Sequence, residues 1–132
     1  MFFTIIPIGP VVIKNCSGQW QNNTQTVEEG SLAEFIIKER DAFGNVVCRN
    51  ISRGEKQLVF QARILGIEKA YVSGLEFKAL VGKSDDILCG QLLTFPVLLY
   101  NLGQYRLEIK SGNQSIYGSP YPFNVVEGIC RN

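Results

Sequence analysis

Apolar and polar residues alternate strictly over residues 104–110 of the 132-residue chain. The odd-numbered positions are Tyr105, Leu107 and Ile109, whereas the even-numbered positions are all polar or charged. A period of two is the pattern of a β-strand that has one face in a core and the other in water. A Gly-containing turn follows at residues 111–113, and the chain then returns. This stretch predicts a β-hairpin in a half-buried antiparallel sheet.

The remainder of the chain predicts an all-β protein with one domain. Hydrophobic residues make up 45% of the sequence, which is enough to bury one core at this length. The 13 Gly, the 5 Pro and the scarcity of stretches with a 3.6-residue period favour many turns and few helices. We place strands at residues 11–16, 32–40, 57–65, 75–81, 92–100, 104–110 and 115–126.

Three short motifs resemble a filamin-type immunoglobulin-like repeat. The Gly-Ser-Pro-Tyr segment at 118–121 resembles the start of the last strand of such a repeat. The Arg-Asp-Ala-Phe-Gly-Asn segment at 40–45 resembles the turn after its second strand, and Ser-Gly-Gln-Trp at 17–20 resembles the stretch after its first strand. The resemblance extends over residues 16–126 and implies an immunoglobulin-like, seven-stranded antiparallel β-sandwich.

The first ten residues are apolar, but they are fewer than the ~20 residues that a membrane helix needs. They also lack the basic flank of a signal peptide. Phe-Thr-Ile-Ile at 3–6 echoes Phe-Asn-Val-Val at 123–126. We therefore interpret residues 1–10 as a linker or the last strand of a preceding repeat, and residues 11–132 as a single filamin-like domain. The alternative is that the segment belongs to the first strand of this domain.

The four cysteines favour disulfide bonds over a metal site. Their number is even, no Cys-x-x-Cys spacing occurs, and the chain has no His, so a zinc site is not expected. On the strand order that the resemblance implies, Cys16 ends the first strand near Cys130, and Cys48 and Cys89 share the opposite end of the sandwich. The implied bonds are Cys16–Cys130 and Cys48–Cys89, since a disulfide requires Cα atoms about 4.4–6.8 Å apart. The alternative is four free thiols in a cytosolic repeat.

Four Asn-x-Ser/Thr sequons lie in predicted loops or strand ends, where a glycan is tolerated. Their asparagines are Asn15, Asn22, Asn50 and Asn113. Asn15 is the least suited to carry a glycan, because the middle residue of its sequon is Cys16. Together with the even number of cysteines, the sequons predict that the domain lies on the extracellular side of the plasma membrane.

Catalytic motifs are absent from the sequence. Without His, a Ser-His-Asp or Cys-His arrangement cannot form within this chain. Neither a phosphate-binding Gly-rich loop nor a calcium loop occurs. The net charge is +1, from 13 basic and 12 acidic residues, so no strongly basic surface for nucleic acid is expected. We expect no enzyme activity, no cofactor, no metal, no small-molecule substrate and no nucleic-acid partner.

The resemblance also implies a binding site. Filamin-type repeats bind a partner peptide by strand addition, at a groove between their third and fourth strands. Carried over to this chain, the groove would be lined by Leu58, Phe60, Ala62, Ile64, Phe77 and Ala79. Ordinary structural strands are equally apolar, so the alternative is that these residues only complete the core.

The chain differs from cytoplasmic filamin repeats in its cysteines, its sequons and the insertions in several of its loops. In these features it is similar to the extracellular filamin repeats of plant gamete-expressed membrane proteins. The leading hypothesis is an extracellular repeat of a membrane-anchored protein that mediates cell adhesion, such as gamete attachment. Its partner would be a protein on an apposed cell or a neighbouring repeat, and it would meet a membrane only through the parent protein's anchor. The alternatives are an intracellular scaffold repeat that binds receptor tails by strand addition, and an accessory β-domain of a secreted enzyme.

Overall fold

The protein is an all-β sandwich with ten strands in its described part. The structure, a computed structural model, describes residues 10–21, 25–66, 75–82, 84–97 and 102–128. The strands are β1 Ser17–Trp20, β2 Thr26–Glu28, β3 Leu32–Lys38, β4 Arg49–Asn50, β5 Gln61–Gly66, β6 Glu76–Val81, β7 Ile87–Pro96, β8 Gly103–Ser111, β9 Gln114–Ser115 and β10 Tyr121–Val126. Short 3₁₀ helices occupy Ile13–Asn15 and Ile51–Arg53.

The strands form two five-stranded sheets. In the first sheet, β3 pairs with β1 and β7, and β7 also pairs with β4 and β6. In the second sheet, β8 pairs with β5, β9 and β10, and β10 pairs with β2. All these pairings are antiparallel except the parallel pair of β10 and β2. This arrangement confirms the predicted immunoglobulin-like sandwich, in which the expected seven strands are broken into shorter pieces.

The predicted first strand, at residues 11–16, is wrong. The chain there makes an isolated bridge between Val11 and Asp41, followed by the first 3₁₀ helix. Asn15 Nδ2 donates a hydrogen bond to the Asp41 carbonyl oxygen at 3.1 Å and holds this segment against the loop after β3. The sheet begins only at Ser17, so Cys16 precedes the first strand instead of ending it.

Other strand boundaries also differ from the prediction. The predicted last strand is divided into β9 and β10, because Gly118 between them has a positive φ of 89°. The strand predicted at residues 57–65 is β5, which begins only at Gln61. The strand predicted at residues 92–100 is β7, which begins earlier, at Ile87, because its first residues pair with β4. Residues 98–100 of that prediction lie outside the described residues.

Aromatic side chains form the centre of the core between the two sheets. Trp20 packs edge-on against Phe35, with ring centroids 4.9 Å apart, and lies 5.0 Å from the ring of Phe123. Phe95 and Tyr105 contact Phe123 from its other sides. The period-two pattern is confirmed in β8, where Tyr105, Leu107 and Ile109 are all buried.

Gly18 in β1 has no room for a side chain. A Cβ atom at this position would lie 2.3 Å from Cε2 of Phe35, a fully buried ring that also packs at a tilt against Tyr121, with ring centroids 4.7 Å apart. Because both rings are held by the core, the Phe35 ring cannot move aside without strain. We therefore expect Gly18→Ala to lower the free energy of unfolding by about 1–3 kcal/mol.

Urea denaturation followed by Trp20 fluorescence measures this effect directly. Gln19→Ala is the matched control, because Gln19 lies next to Gly18 in the same strand and is exposed. An unchanged urea midpoint for Gly18→Ala would show that Phe35 has space to move.

Candidate functional site

The candidate groove lies where the two sheets end on the same side of the sandwich. Strand β5 is the outer strand of the second sheet and pairs only with β8 within the described residues. Strand β6 is the outer strand of the first sheet and pairs there only with β7. On the opposite side, Ser17 of β1 forms a β-bridge with Tyr117, which lies between β9 and β10. The edges of the two sheets are therefore connected on that side. A partner strand that pairs with β5 would therefore meet an open sheet edge.

Five of the six predicted groove residues lie along this margin with their side chains against the core. Phe60 is buried, whereas Leu58, Ala62, Ile64 and Phe77 are partly buried and pack against the core cluster. The four partly buried side chains therefore leave part of their apolar surface exposed.

The sixth predicted groove residue, Ala79, is exposed. The pairing of β6 with β7 shifts its register between Ala79 and Val81. As a result, the alternation that begins at Phe77 does not continue, and Leu80 takes the next partly buried position. Ala79 therefore lies at the margin of the groove.

Side-chain hydrogen bonds fix the chain just before β5. Gln91 of β7 donates through Nε2 to the Leu58 carbonyl oxygen at 2.7 Å, and Gln57 Nε2 donates to the Gly90 carbonyl oxygen at 3.0 Å. Ser111 of the second sheet donates to the Val59 carbonyl oxygen at 3.0 Å. These bonds tie the entrance of β5 to both sheets, so this end of the groove is held in place. Sequence patterns gave no indication of them, since each joins residues more than thirty positions apart.

The predicted Cys48–Cys89 disulfide is confirmed. Its Cα atoms are 4.3 Å apart, and it joins the loop after β3 to the start of β7. Beside it, Arg49 Nη2 forms an ion pair with Oε1 of the buried Glu39 at 2.9 Å. The disulfide and the ion pair together attach the segment of β4 to the first sheet.

The predicted position of Cys16, at the same end of the sandwich as the end of the last strand, is wrong. Cys16 lies before β1, next to Tyr117, whose N–H donates to the Cys16 carbonyl oxygen at 2.9 Å. Strand β10 ends at the opposite end of the sandwich, where Val126 pairs with Glu28. Among the described residues, Cys16 is a buried thiol without a disulfide partner, and burial raises the pKa of that thiol. Cys130 lies outside the described residues, so the bond itself stays an untested prediction.

The sequon asparagines differ in accessibility. Asn113 is exposed in the turn between β8 and β9. Asn50 is partly buried, and its Oδ1 accepts hydrogen bonds from the N–H and the hydroxyl of Ser52, at 3.0 and 2.6 Å. The Asn15 amide is already bound to Asp41, which agrees with its rank as the least suited site. Asn22 lies outside the described residues, and glycosylation stays a prediction for all four positions.

One exposed aromatic residue was not predicted as a surface feature. Phe43 is 76% exposed at the tip of the loop after β3. The buried Asp41 carboxylate accepts hydrogen bonds from the N–H groups of Phe43 and Asn45, both at 2.9 Å, and these bonds hold the backbone at the tip of the loop. The sequence signal was the Asp placed two residues before Phe, which is typical of an Asx turn. Trp20, by contrast, is buried in the core.

Within the described ranges, no cluster of three or more His, Cys, Asp or Glu residues has the geometry to hold a metal ion. In the same part of the chain, no helix is both long and apolar enough to cross a bilayer.

The sequence and the fold are similar to known proteins. The family model of the GEX2 N-terminal Ig-like domain matches residues 14–125. The Arabidopsis thaliana protein GAMETE EXPRESSED 2 is 26% identical over 125 residues, which are 92% of this chain but 12% of that protein. The chain thus spans only a small part of the length of this relative.

Two solved structures share the fold. The Lin-41 filamin domain is 18% identical, with a TM-score of 0.56, over 91% of this chain and 100% of that domain. The Escherichia coli adhesin FdeC is 17% identical, with a TM-score of 0.60, over 92% of this chain and 33% of the adhesin chain. The chain therefore has the fold of a filamin-type immunoglobulin-like repeat, and it belongs to the GEX2 N-terminal Ig-like domain family.

Proposed function

We propose that this domain is an extracellular repeat of a membrane-anchored protein and mediates attachment between gametes through protein–protein contacts. The observation that carries the proposal is the family membership over residues 14–125. The name of the relative GAMETE EXPRESSED 2 links that protein to gametes. The repeat acts by binding and not by catalysis.

The disulfide supports the extracellular part of the proposal. Disulfides persist in oxidising compartments and are rare in the cytosol, and the Cys48–Cys89 bond closes a separation of 41 residues. The exposed sequon asparagine Asn113 fits the same compartment, since a glycan there points into solvent.

We place the partner contact at the groove between β5 and β6. Its open strand edge supplies main-chain hydrogen bonds, and its partly buried apolar side chains supply pockets for alternate residues of an added strand. Selectivity would come mainly from Ile64 and Phe77, because they are the large, partly buried apolar side chains that lie within β5 and β6 themselves.

A binding experiment on cells tests the proposal. The chain is secreted from eukaryotic cells, assembled into fluorescent tetramers and applied to gametes of the opposite mating type and to non-reproductive cells. We expect binding to the gametes alone. Ile64→Lys should weaken that binding by about tenfold or more, because a charge would be buried under the added strand.

Arg63→Gln is the matched control, since Arg63 is the neighbouring residue on the opposite face of β5 and is exposed. Near-ultraviolet circular dichroism and the melting temperature verify that both variants are folded. Absence of binding to gametes would contradict the adhesion proposal. Equal binding by Ile64→Lys and the unmodified chain would instead reject the groove while leaving adhesion standing.

The extracellular location is tested by measuring the mass of the secreted chain before and after removal of N-linked glycans. The secreted chain should lose mass on treatment with a glycosidase that removes N-linked glycans, and Asn113→Gln should abolish part of this loss. A secreted chain without any glycan would contradict the predicted sequon use.

A further inference from the structure

An open cavity of about 530 Å³ lies on the outer face of the second sheet, away from the groove between β5 and β6. Its polar side chains come from three segments of the chain: Gln25 before β2, Gln104 and Arg106 of β8, and Asn124 of β10. The cavity is within the range of about 300–1,000 Å³ that is usual for small-ligand sites.

Strand alternation places three of these side chains, those of Gln104, Arg106 and Asn124, on the outer face. Tyr105 and Leu107 of β8 are buried, so Gln104 and Arg106 point away from the core. In the same way, the buried Phe123 leaves its neighbour Asn124 on the outer face.

The strand register brings the polar groups together. Asn124 lies directly opposite Gln104 across the β10–β8 pair. Arg106 lies between Pro122 of β10 and Leu65 of β5, which are its direct neighbours on either side. Directly opposite residues have Cβ atoms about 4.5–5.5 Å apart, so two amides and a guanidinium share one small area with two apolar surfaces.

Arg106 differs from the other cations on this face. Glu108 binds Arg63 at 3.0 Å and lies 4.0 Å from Lys110, so both of those charges have an acidic neighbour. Within the described residues, Arg106 has no ion pair and no side-chain hydrogen bond. The side-chain amides of Gln25, Gln104 and Asn124 have none there either. In the part of the chain that the structure describes, four exposed side chains with strong hydrogen-bonding capacity therefore line the cavity without a protein partner.

We propose that this cavity binds a carboxylate-bearing carbohydrate, such as a segment of a uronic-acid polysaccharide. The planar guanidinium of Arg106 matches a carboxylate through two parallel N–H bonds. Each side-chain amide offers donors and an acceptor, which suits neighbouring hydroxyl groups. Pro122 and Leu65 flank the guanidinium and provide apolar contact for the C–H face of a sugar ring. An acidic peptide offers Arg106 the same carboxylate and offers the amides its main-chain N–H and C=O groups, so it is the competing ligand in the test.

Titration of the ¹⁵N-labelled chain with a tetramer of galacturonic acid, followed by NMR, tests the proposal. We expect shifts of the Arg106 side-chain N–H and of the three amide groups. The fully methyl-esterified tetramer has the same ring geometry without the charge, and it should bind roughly tenfold more weakly or not at all.

Arg106→Gln should weaken binding of the charged tetramer by roughly ten- to a hundredfold, since a hydrogen-bonded charge is lost. Arg63→Gln removes the same charge from the same face and should leave the affinity within about twofold, because Arg63 is already paired with Glu108. Spectra of both variants verify that the fold is retained.

Three outcomes would overturn the proposal. The first is equal weakening by Arg63→Gln and Arg106→Gln, which would indicate attraction to net charge only. The second is equal binding of the esterified and the charged tetramer. The third is absence of binding to the tetramer at millimolar concentration. If a hexaglutamate peptide binds in that case, the site recognises an acidic peptide and not a carbohydrate.

Discussion

Replacing Cys48 and Cys89 together with Ser is expected to lower the free energy of unfolding by about 4 kcal/mol. The bond closes a loop across a sequence separation of 41 residues, and its loss allows the unfolded chain many more conformations. That is a large fraction of the roughly 5–15 kcal/mol by which domains are stable. The effect also concerns function, because it would make the fold depend on an oxidising compartment.

Urea denaturation of the unmodified and the double-Ser chain measures this difference. The control is the unmodified chain in reductant, which should unfold at the same urea concentration as the double variant. If reductant lowers the midpoint of the double variant further, a second disulfide exists, and the Cys16–Cys130 prediction gains support. An unchanged midpoint in the double variant would contradict the expected stabilisation.

The second large effect is expected for Arg49→Met. The Glu39 side chain is 1% exposed, and Arg49, which is 21% exposed, is its ion-pair partner at 2.9 Å. Without the guanidinium, the carboxylate would be buried with no compensating charge. Breaking such a pair typically costs about 3–5 kcal/mol, so we expect a loss of this size.

The double variant Arg49→Met with Glu39→Gln is the matched control. It removes both charges, so it should recover most of the stability that Arg49→Met alone loses. Equal loss in the single and the double variant, measured by urea denaturation, would show that Arg49 stabilises the fold through packing of its stem and not through its charge.

Local patterns predicted the elements that are long and strictly alternating. The buried face of β8 followed from Tyr105, Leu107 and Ile109, because the side-chain period of a strand depends only on neighbouring residues. The predicted start of β3 at Leu32 is also correct, but the strand ends at Lys38 instead of residue 40. The first strand was misplaced, because the β-branched residues at 11–13 favour a strand locally, whereas contacts with Arg40 and Asp41 hold them outside the sheet.

The candidate groove was predicted in part. The sequence indicated the apolar strands, but not that Gln91 and Ser111 would bind the carbonyl groups before β5. It also did not indicate the register shift after Ala79, which leaves that residue exposed. Both features depend on which strands are neighbours and on their exact alignment.

The sequence alone determined the fold class, the filamin-type repeat and the Cys48–Cys89 bond, because these follow from local alternation, short motifs and the order of strands. Only the tertiary structure decided that Cys16 precedes β1, and that Gln104, Arg106 and Asn124 meet on one outer face. The physical reason is that alternation sets which way a side chain points, whereas the pairing register between distant strands sets which side chains become neighbours.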